Sequence, residues 1–159
     1  MKTNCVLEGK VAVVVGGTSG LGEAIAKEFV NEGACVIPVS RKISNVRKSI
    51  KTLKALGNAW NEAYAVDVTC EREVKQLAGK ILRKTKRIDV MVCTAGAHLK
   101  KDFLTMTTKE WQQVMRVNLE GTYFANKHFG ACMVKQKKGS IINITSLGAQ
   151  VALSKATAY

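Results

Sequence analysis

The stretch VAVVVGGTSGLGEAIAKEFVN, from Val11 to Asn31, passes from a run of β-branched residues through a knot of glycines into a helical pattern. Val11 to Val15 is a short, valine-rich apolar run, the composition of a strand covered on both faces of a parallel sheet. Gly16, Gly17, Gly20 and Gly22 then allow a tight turn and a close approach of the backbone to a large neighbour, where a Cβ would clash or forbid positive φ. Beyond Gly20, the residues Leu21, Ala24, Ile25, Glu28 and Phe29 recur at helical spacing with apolar groups on one side. The first amides of that helix point back at the carboxyl end of the strand and attract phosphate. Strand, glycine turn and helix in a unit of about thirty residues form the context of a dinucleotide site. Gly16, Gly17, Thr18, Ser19, Gly20, Leu21 and Gly22 are therefore candidate cofactor contacts, with tight strand-to-helix packing as the competing use.

Length and charge bound the rest. The chain has 159 residues, 47% of them hydrophobic, which fits one globular α/β domain spanning residues 1–159 and excludes disorder. Lysine and arginine outnumber aspartate and glutamate by 25 to 12, a net charge of +13 that would draw phosphorylated or acidic partners from a distance. The cations scatter over several helices without interleaved aromatics, so solvated helix faces are expected in preference to a nucleic-acid surface. Cys5, Cys35, Cys70, Cys93 and Cys132 are odd in number and lack metal or disulfide spacing, which fits a reducing compartment. His98 and His128 stand alone and read as surface or packing residues; no metal is expected. MKTNCVLEGK lacks an apolar signal core and no run reaches membrane-span length, so a soluble, cytoplasmic protein with no membrane contact is expected.

In order, the chain alternates strand and helix. Gly33 stops the first helix, residues 34–39 (ACVIPV) form a second strand, and a helix follows with Val46, Ile50, Leu53 and Leu56 on one face and Gly57 at its end. Pro38 cannot donate to a ladder and is expected at the strand's last bond or in a bulge. Residues 63–66 form a third strand. Val74, Leu77, Ala78, Ile81 and Leu82 mark an amphipathic helix, and residues 88–93 (IDVMVC) a fourth strand. Thr107 and Glu110 make a capping box for a long helix bearing Trp111, Val114, Met115, Asn118 and Leu119, and residues 140–144 (SIINI) a fifth strand. This alternation predicts a doubly wound, parallel, Rossmann-type α/β sheet of which five strands are present.

The end of the second strand selects the cofactor. An acid there accepts hydrogen bonds from ribose hydroxyls, whereas an arginine accommodates a 2′-phosphate. Ser40, Arg41 and Lys42 occupy that place, so NADP is expected in preference to NAD.

The spacing Gly16, Gly20, Gly22 resembles that of the short-chain dehydrogenase/reductase family, and further segments extend the resemblance from Leu7 to Tyr159. That family usually has threonine before the first glycine; here Val15 stands there, leaving a bracing hydroxyl missing or supplied by Thr18. Asp67 and Val68 resemble its adenine-side dipeptide, with Asp67 also readable as a helix N-cap. Thr94, Ala95 and Gly96 are similar to its turn after the fourth strand, with Thr94 replacing asparagine. Asn118 matches its helix asparagine, and an asparagine on the buried side of a helix needs a partner.

Ser146 and Tyr159 lie thirteen apart, the spacing of the family's serine and tyrosine. The resemblance implies that Tyr159 is the general acid in carbonyl reduction and that Ser146 polarises the substrate oxygen. A phenol with an ordinary pKa of about 10 needs nearby positive charge to work at neutral pH. The family supplies it from the nicotinamide and from a lysine four residues beyond the tyrosine. That position falls past Tyr159, so the expectation is the amino-terminal part of a longer reductase, inactive by itself and homo-oligomeric when full length. The substrate implied is a secondary alcohol or ketone of sugar-acid or small-carbonyl type. A 3-oxoacyl carrier-protein reductase and a non-catalytic nucleotide-binding protein remain the alternatives.

Overall fold

A computed structural model describes residues 5–159; the first four residues of the segment read as lacking a signal lie outside it. The elements are β1 (Val11–Val15), α1 (Gly20–Asn31), β2 (Cys35–Ser40), α2 (Ile43–Leu56), β3 (Tyr64–Ala65), α3 (Glu71–Thr85), β4 (Val90–Cys93), α4 (Thr108–Met115), α5 (Gly121–Gln136) and β5 (Ser140–Asn143). All strand pairs are parallel, in the order β3-β2-β1-β4-β5. β1 lies at the centre, and all five of its residues are buried, as a strand covered on both faces requires.

The pleat sends alternate β1 side chains to opposite layers. Val11, Val13 and Val15 join Ile37, Met91, Val74, Leu77, Ile81 and Phe129 beneath α3 and α5. Ala12 and Val14 join Val36, Ala26, Val30 and Leu53 beneath α1 and α2. Helices on both faces make the sheet doubly wound, and each fully buried aliphatic side chain contributes about 1.5–3 kcal/mol to holding the layers together.

Several expectations need correction. The buried face of α1 is Gly22, Ala26 and Val30, while Leu21 is exposed, because small residues let the helix approach the sheet closely. Leu56, Trp111 and Leu119 are also exposed, although their spacing placed them on apolar faces. Pro38 is neither at the last bond of β2 nor in a bulge: it sits inside the strand, in register opposite Val14. Val36 and Ser40 bond toward the β3 side, so alternation puts the missing Pro38 donor there too. It falls in the gap between the Val36–Ala59 bridge and the Val39–Tyr64 pairing, where no ladder bond is lost.

The predicted capping box is present: Thr107 Oγ1 accepts from Glu110 N at 3.2 Å and Glu110 Oε2 accepts from Thr107 N at 2.8 Å. The long helix it starts is α4 joined to α5 through a π-turn at Arg116–Glu120. Among the described residues no helix is long and apolar enough to cross a membrane. All five cysteines are free thiols, with Cys93 and Cys132 buried.

Candidate active site

The sheet order reverses direction between β1 and β4, and a crevice opens at the carboxyl ends of the strands at such a point. A cleft of about 590 Å³ lies there, lined by the turn after β1, the end of β2, the segment after β3 and the turn after β4. Gly16, Thr18, Ser19, Leu21 and Gly22 contribute from the first turn. Gly17 and Gly20 do not line it. A Cβ on Gly17 would press against the Val14 carbonyl at 2.7 Å, so this glycine serves the turn itself.

Gly20 has φ +52° and open space where a Cβ would stand, whereas a Cβ on Gly22 would collide with the Gly16 carbonyl and with Thr94 Oγ1 at 2.5 Å. Gly22 thus lets α1 pack against its own turn and against the turn after β4. The N-cap Ser19 makes no side-chain bond to the first amides of α1. Those amides sit at the positive end of the helix dipole beside the cleft, an arrangement suited to an anion.

Thr94 supplies the hydroxyl expected of a threonine before Gly16. Its Oγ1 donates to the Val15 carbonyl at 2.9 Å, tying β4's turn to β1's, so bracing comes from the next strand and not from Thr18.

At the end of β2, Ser40, Arg41 and Lys42 line the cleft together with Asn45, one turn into α2. No carboxylate occurs between Gly33 and Asn61. Asp67 and Val68 line the wall beyond. Asp67 Oδ1 accepts from Thr69 N and Thr69 Oγ1, both at 2.9 Å. These bonds, aided by the Arg41 charge, hold its carboxyl below the usual carboxylate range. Asp67 is not the N-cap of α3; that position is Cys70, and Asp67 instead braces the turn leading to it.

Thr94, Ala95, Gly96 and Ala97 form the floor. The partner that Asn118 requires is the Ala97 backbone: Oδ1 accepts from Ala97 N at 2.7 Å and Nδ2 donates to Ala97 O at 2.9 Å. The π-turn carries Asn118, and Gln113 and Val117 reach the cleft from the same helical segment. Asn45, Gln113, Val117 and Ile144 were missed in the sequence, because the first three reach the cleft through helix placement and Ile144 through the pairing of β5 beside β4; a π-turn leaves no period to read.

Ser146 and Tyr159 do not line the cleft. Ser146 Oγ accepts from Gly148 N at 3.2 Å, and the Tyr159 ring meets His98 edge to face at 4.8 Å between centroids. No hydrogen bond joins the two hydroxyls among the described residues. The segment before Tyr159 is tied to the loop after β4 by Lys101 N donating to Lys155 O at 2.7 Å and by the Lys155–Asp102 ion pair at 3.1 Å. Lys155 thus faces a loop carboxylate. His128 pairs with Glu71 at 3.0 Å.

Comparison with known proteins places this architecture. The family model described as short chain dehydrogenase matches residues 10–159. The chain belongs to the short-chain dehydrogenase/reductase family, whose members use nicotinamide cofactors. It is 35% identical over 144 residues to a short-chain dehydrogenase/reductase of Armillaria gallica, covering 89% of this chain and 55% of that protein. It is 33% identical over 141 residues to the 3-oxoacyl-acyl-carrier-protein reductase of Thermotoga maritima, covering 89% and 57%. A metagenomic short-chain oxidoreductase solved in complex with NADP superposes with a TM-score of 0.88 at 33% identity, covering 96% of this chain and 69% of that one. The chain thus spans little more than half the length of these two curated relatives.

Proposed function

We propose that this chain is the cofactor-binding part of an NADP-dependent oxidoreductase that moves a hydride between nicotinamide and a secondary alcohol or ketone, of sugar-acid or small-carbonyl type. The observation that carries the reading is the pair Arg41 and Lys42 lining the cleft at the end of β2, where no carboxylate stands to repel a phosphate. The NADP held by the metagenomic neighbour supports the same choice. The residues present fit the dinucleotide: an uncapped helix N-terminus, a glycine turn that lines the cleft at Gly16 and Gly22, and an ionised Asp67.

In this reading the first amides of α1 hold the diphosphate, Ser40, Arg41 and Lys42 hold the 2′-phosphate, and Asp67 accepts from the adenine amino group while Val68 packs beside it. Thr94, Ala95 and Gly96 support the nicotinamide side. Bound there, the cofactor supplies or accepts hydride. Tyr159 Oη gives its proton to the substrate oxygen as that oxygen turns from carbonyl to hydroxyl. Ser146 Oγ already accepts from Gly148 N, which leaves its own hydrogen to donate to the same oxygen. Asn118 keeps the Ala97 backbone in place beside them. Trp111, Leu119 and Tyr123, exposed along α4 and α5, suit a homo-oligomer contact in the full-length protein.

The likeness to the Thermotoga maritima enzyme supports a second substrate reading, a 3-oxoacyl group on an acidic carrier, which the +13 charge would suit. Fluorescence titration with NADPH and NADH tests the cofactor assignment. NADPH is expected to bind more tightly, and equal affinities would refute it.

A further inference from the structure

Between Gly33 and Asn61 the chain carries Arg41, Lys42, Arg47, Lys48, Lys51 and Lys54 and no acidic residue. These six account for nearly half of the +13 net charge on 29 of 159 residues. All six are exposed and none is in a salt bridge among the described residues. Lysines elsewhere meet carboxylates, as in Lys27–Glu23, Lys101–Glu110 and Lys127–Glu71. Arg41, Lys42 and Asn45 line the cleft, and Arg47, Lys51 and Lys54 line a separate groove of about 550 Å³ between the same helix and residues 61–63. Glu62 borders that groove, but Lys84 holds its carboxylate.

We infer that the exposed face of α2 is an electrostatic track that guides the phosphates of the dinucleotide into the cleft, a role in capture distinct from holding the bound molecule. The inference rests on the cofactor reading above. A helix turns about 100° per residue, so Arg47, Lys51 and Lys54 fall on the side of α2 away from Asn45, about 10 Å across the helix from the cleft wall. At physiological salt the screening length is about 8 Å and these cations are largely screened from the mouth, whereas at about 0.01 M salt it is about 30 Å and all three act on an anion there. Cations outside the contact set raise the local concentration of an anionic ligand and its on-rate, and leave its off-rate unchanged. The groove holds no aromatic side chain on which a base could stack, so a nucleic-acid strand is the weaker occupant.

The test is stopped-flow binding of NADPH to the wild-type chain and to Arg47→Glu/Lys51→Glu, with Lys137→Glu/Lys138→Glu as the control. The control makes the same change in net charge before β5, at the end of the sheet away from the cleft. The α2 variant is expected to lose about 3- to 10-fold in on-rate near 20 mM salt, with the off-rate unchanged and the difference gone near 500 mM. The control is expected to keep most of the wild-type on-rate. On-rates equal to wild type in the α2 variant, an equal loss in the control, or a loss confined to the off-rate would each overturn the track while leaving the cofactor reading intact. Absence of NADPH binding to the wild-type chain would instead overturn that reading and the track with it. Should the charge reversal fail to fold, Arg47→Gln/Lys51→Gln is expected to show about half the effect on a logarithmic scale, and an unchanged on-rate there overturns the track equally.

Discussion

Gly20 and Gly22 are two residues apart and face opposite constraints. Gly22→Val drives a branched side chain into the Gly16 carbonyl and Thr94 Oγ1, forcing α1 off its turn. It is expected to cost at least about 1–3 kcal/mol and to show as a lowered melting temperature. Gly20→Val meets no neighbour but cannot hold φ +52° comfortably, so the chain should still fold while the turn distorts and NADPH titration shows the loss. Retained NADPH binding by folded Gly20→Val would show that this glycine serves the turn alone. Arg41→Ala should remove most of a preference for NADPH over NADH of about 1.5–3 kcal/mol, the worth of a hydrogen bond to a charged group. An unchanged affinity ratio in paired titrations would remove Arg41 from the 2′-phosphate site.

Helix α4 and the π-turn after it fasten the floor of the cleft from behind. Asn118→Leu deletes both bonds to Ala97 and leaves a backbone N–H and C=O to find new partners, at about 1–3 kcal/mol. Faster amide exchange at Ala97 in the folded variant would confirm the clamp, and wild-type protection there would refute it. At the start of α4, Glu110 accepts from Lys101 Nζ at 2.8 Å and from the Thr107 cap, which lowers its pKa to about 2. A carboxyl lowered in the folded state adds stability that is fully present above its unfolded pKa. The stability is lost as pH falls from about 4.5 toward 2. Melting temperature should therefore drop across that window in the wild type, and the drop should be smaller in Glu110→Gln.

Part of the exposed apolar surface of the described residues lies along the β5 edge of the sheet. All four residues of β5 are exposed, and Ile141, Ile142, Ile144, Leu147, Val151 and Leu153 show between 36% and 66% of their surface. An uncovered parallel edge strand with apolar neighbours invites pairing between copies. The 159-residue chain is thus expected to associate with rising concentration in sedimentation velocity; a monodisperse monomer at high concentration would argue that this edge is tolerated. It is also expected to bind NADPH without turning over a ketone, since Tyr159 is 46% exposed and its hydroxyl makes no hydrogen bond among the described residues. Consumption of NADPH that is lost on Tyr159→Phe would refute that expectation.

The nature of β1, the glycine turn and α1 was legible in residues 11–31, because each rests on local patterns: β-branched composition, missing Cβ atoms and a 3.6-residue period. The basic end of β2 and the capping box at Thr107 and Glu110 were legible for the same reason, being short-range chemistry. Other features belong to contacts between segments far apart in the chain. Thr94 could replace a hydroxyl lost at position 15 only because β4 lies beside β1. Pro38 fits inside β2 only because the β3 segment leaves a gap in the ladder. The face α1 buries was set by how closely Gly22 and Ala26 let it approach the sheet, not by where its largest apolar residues fall. A residue's own properties set the conformation of its neighbours along the chain, whereas burial and pairing depend on which distant backbone arrives beside it, and the packed sheet alone decides that.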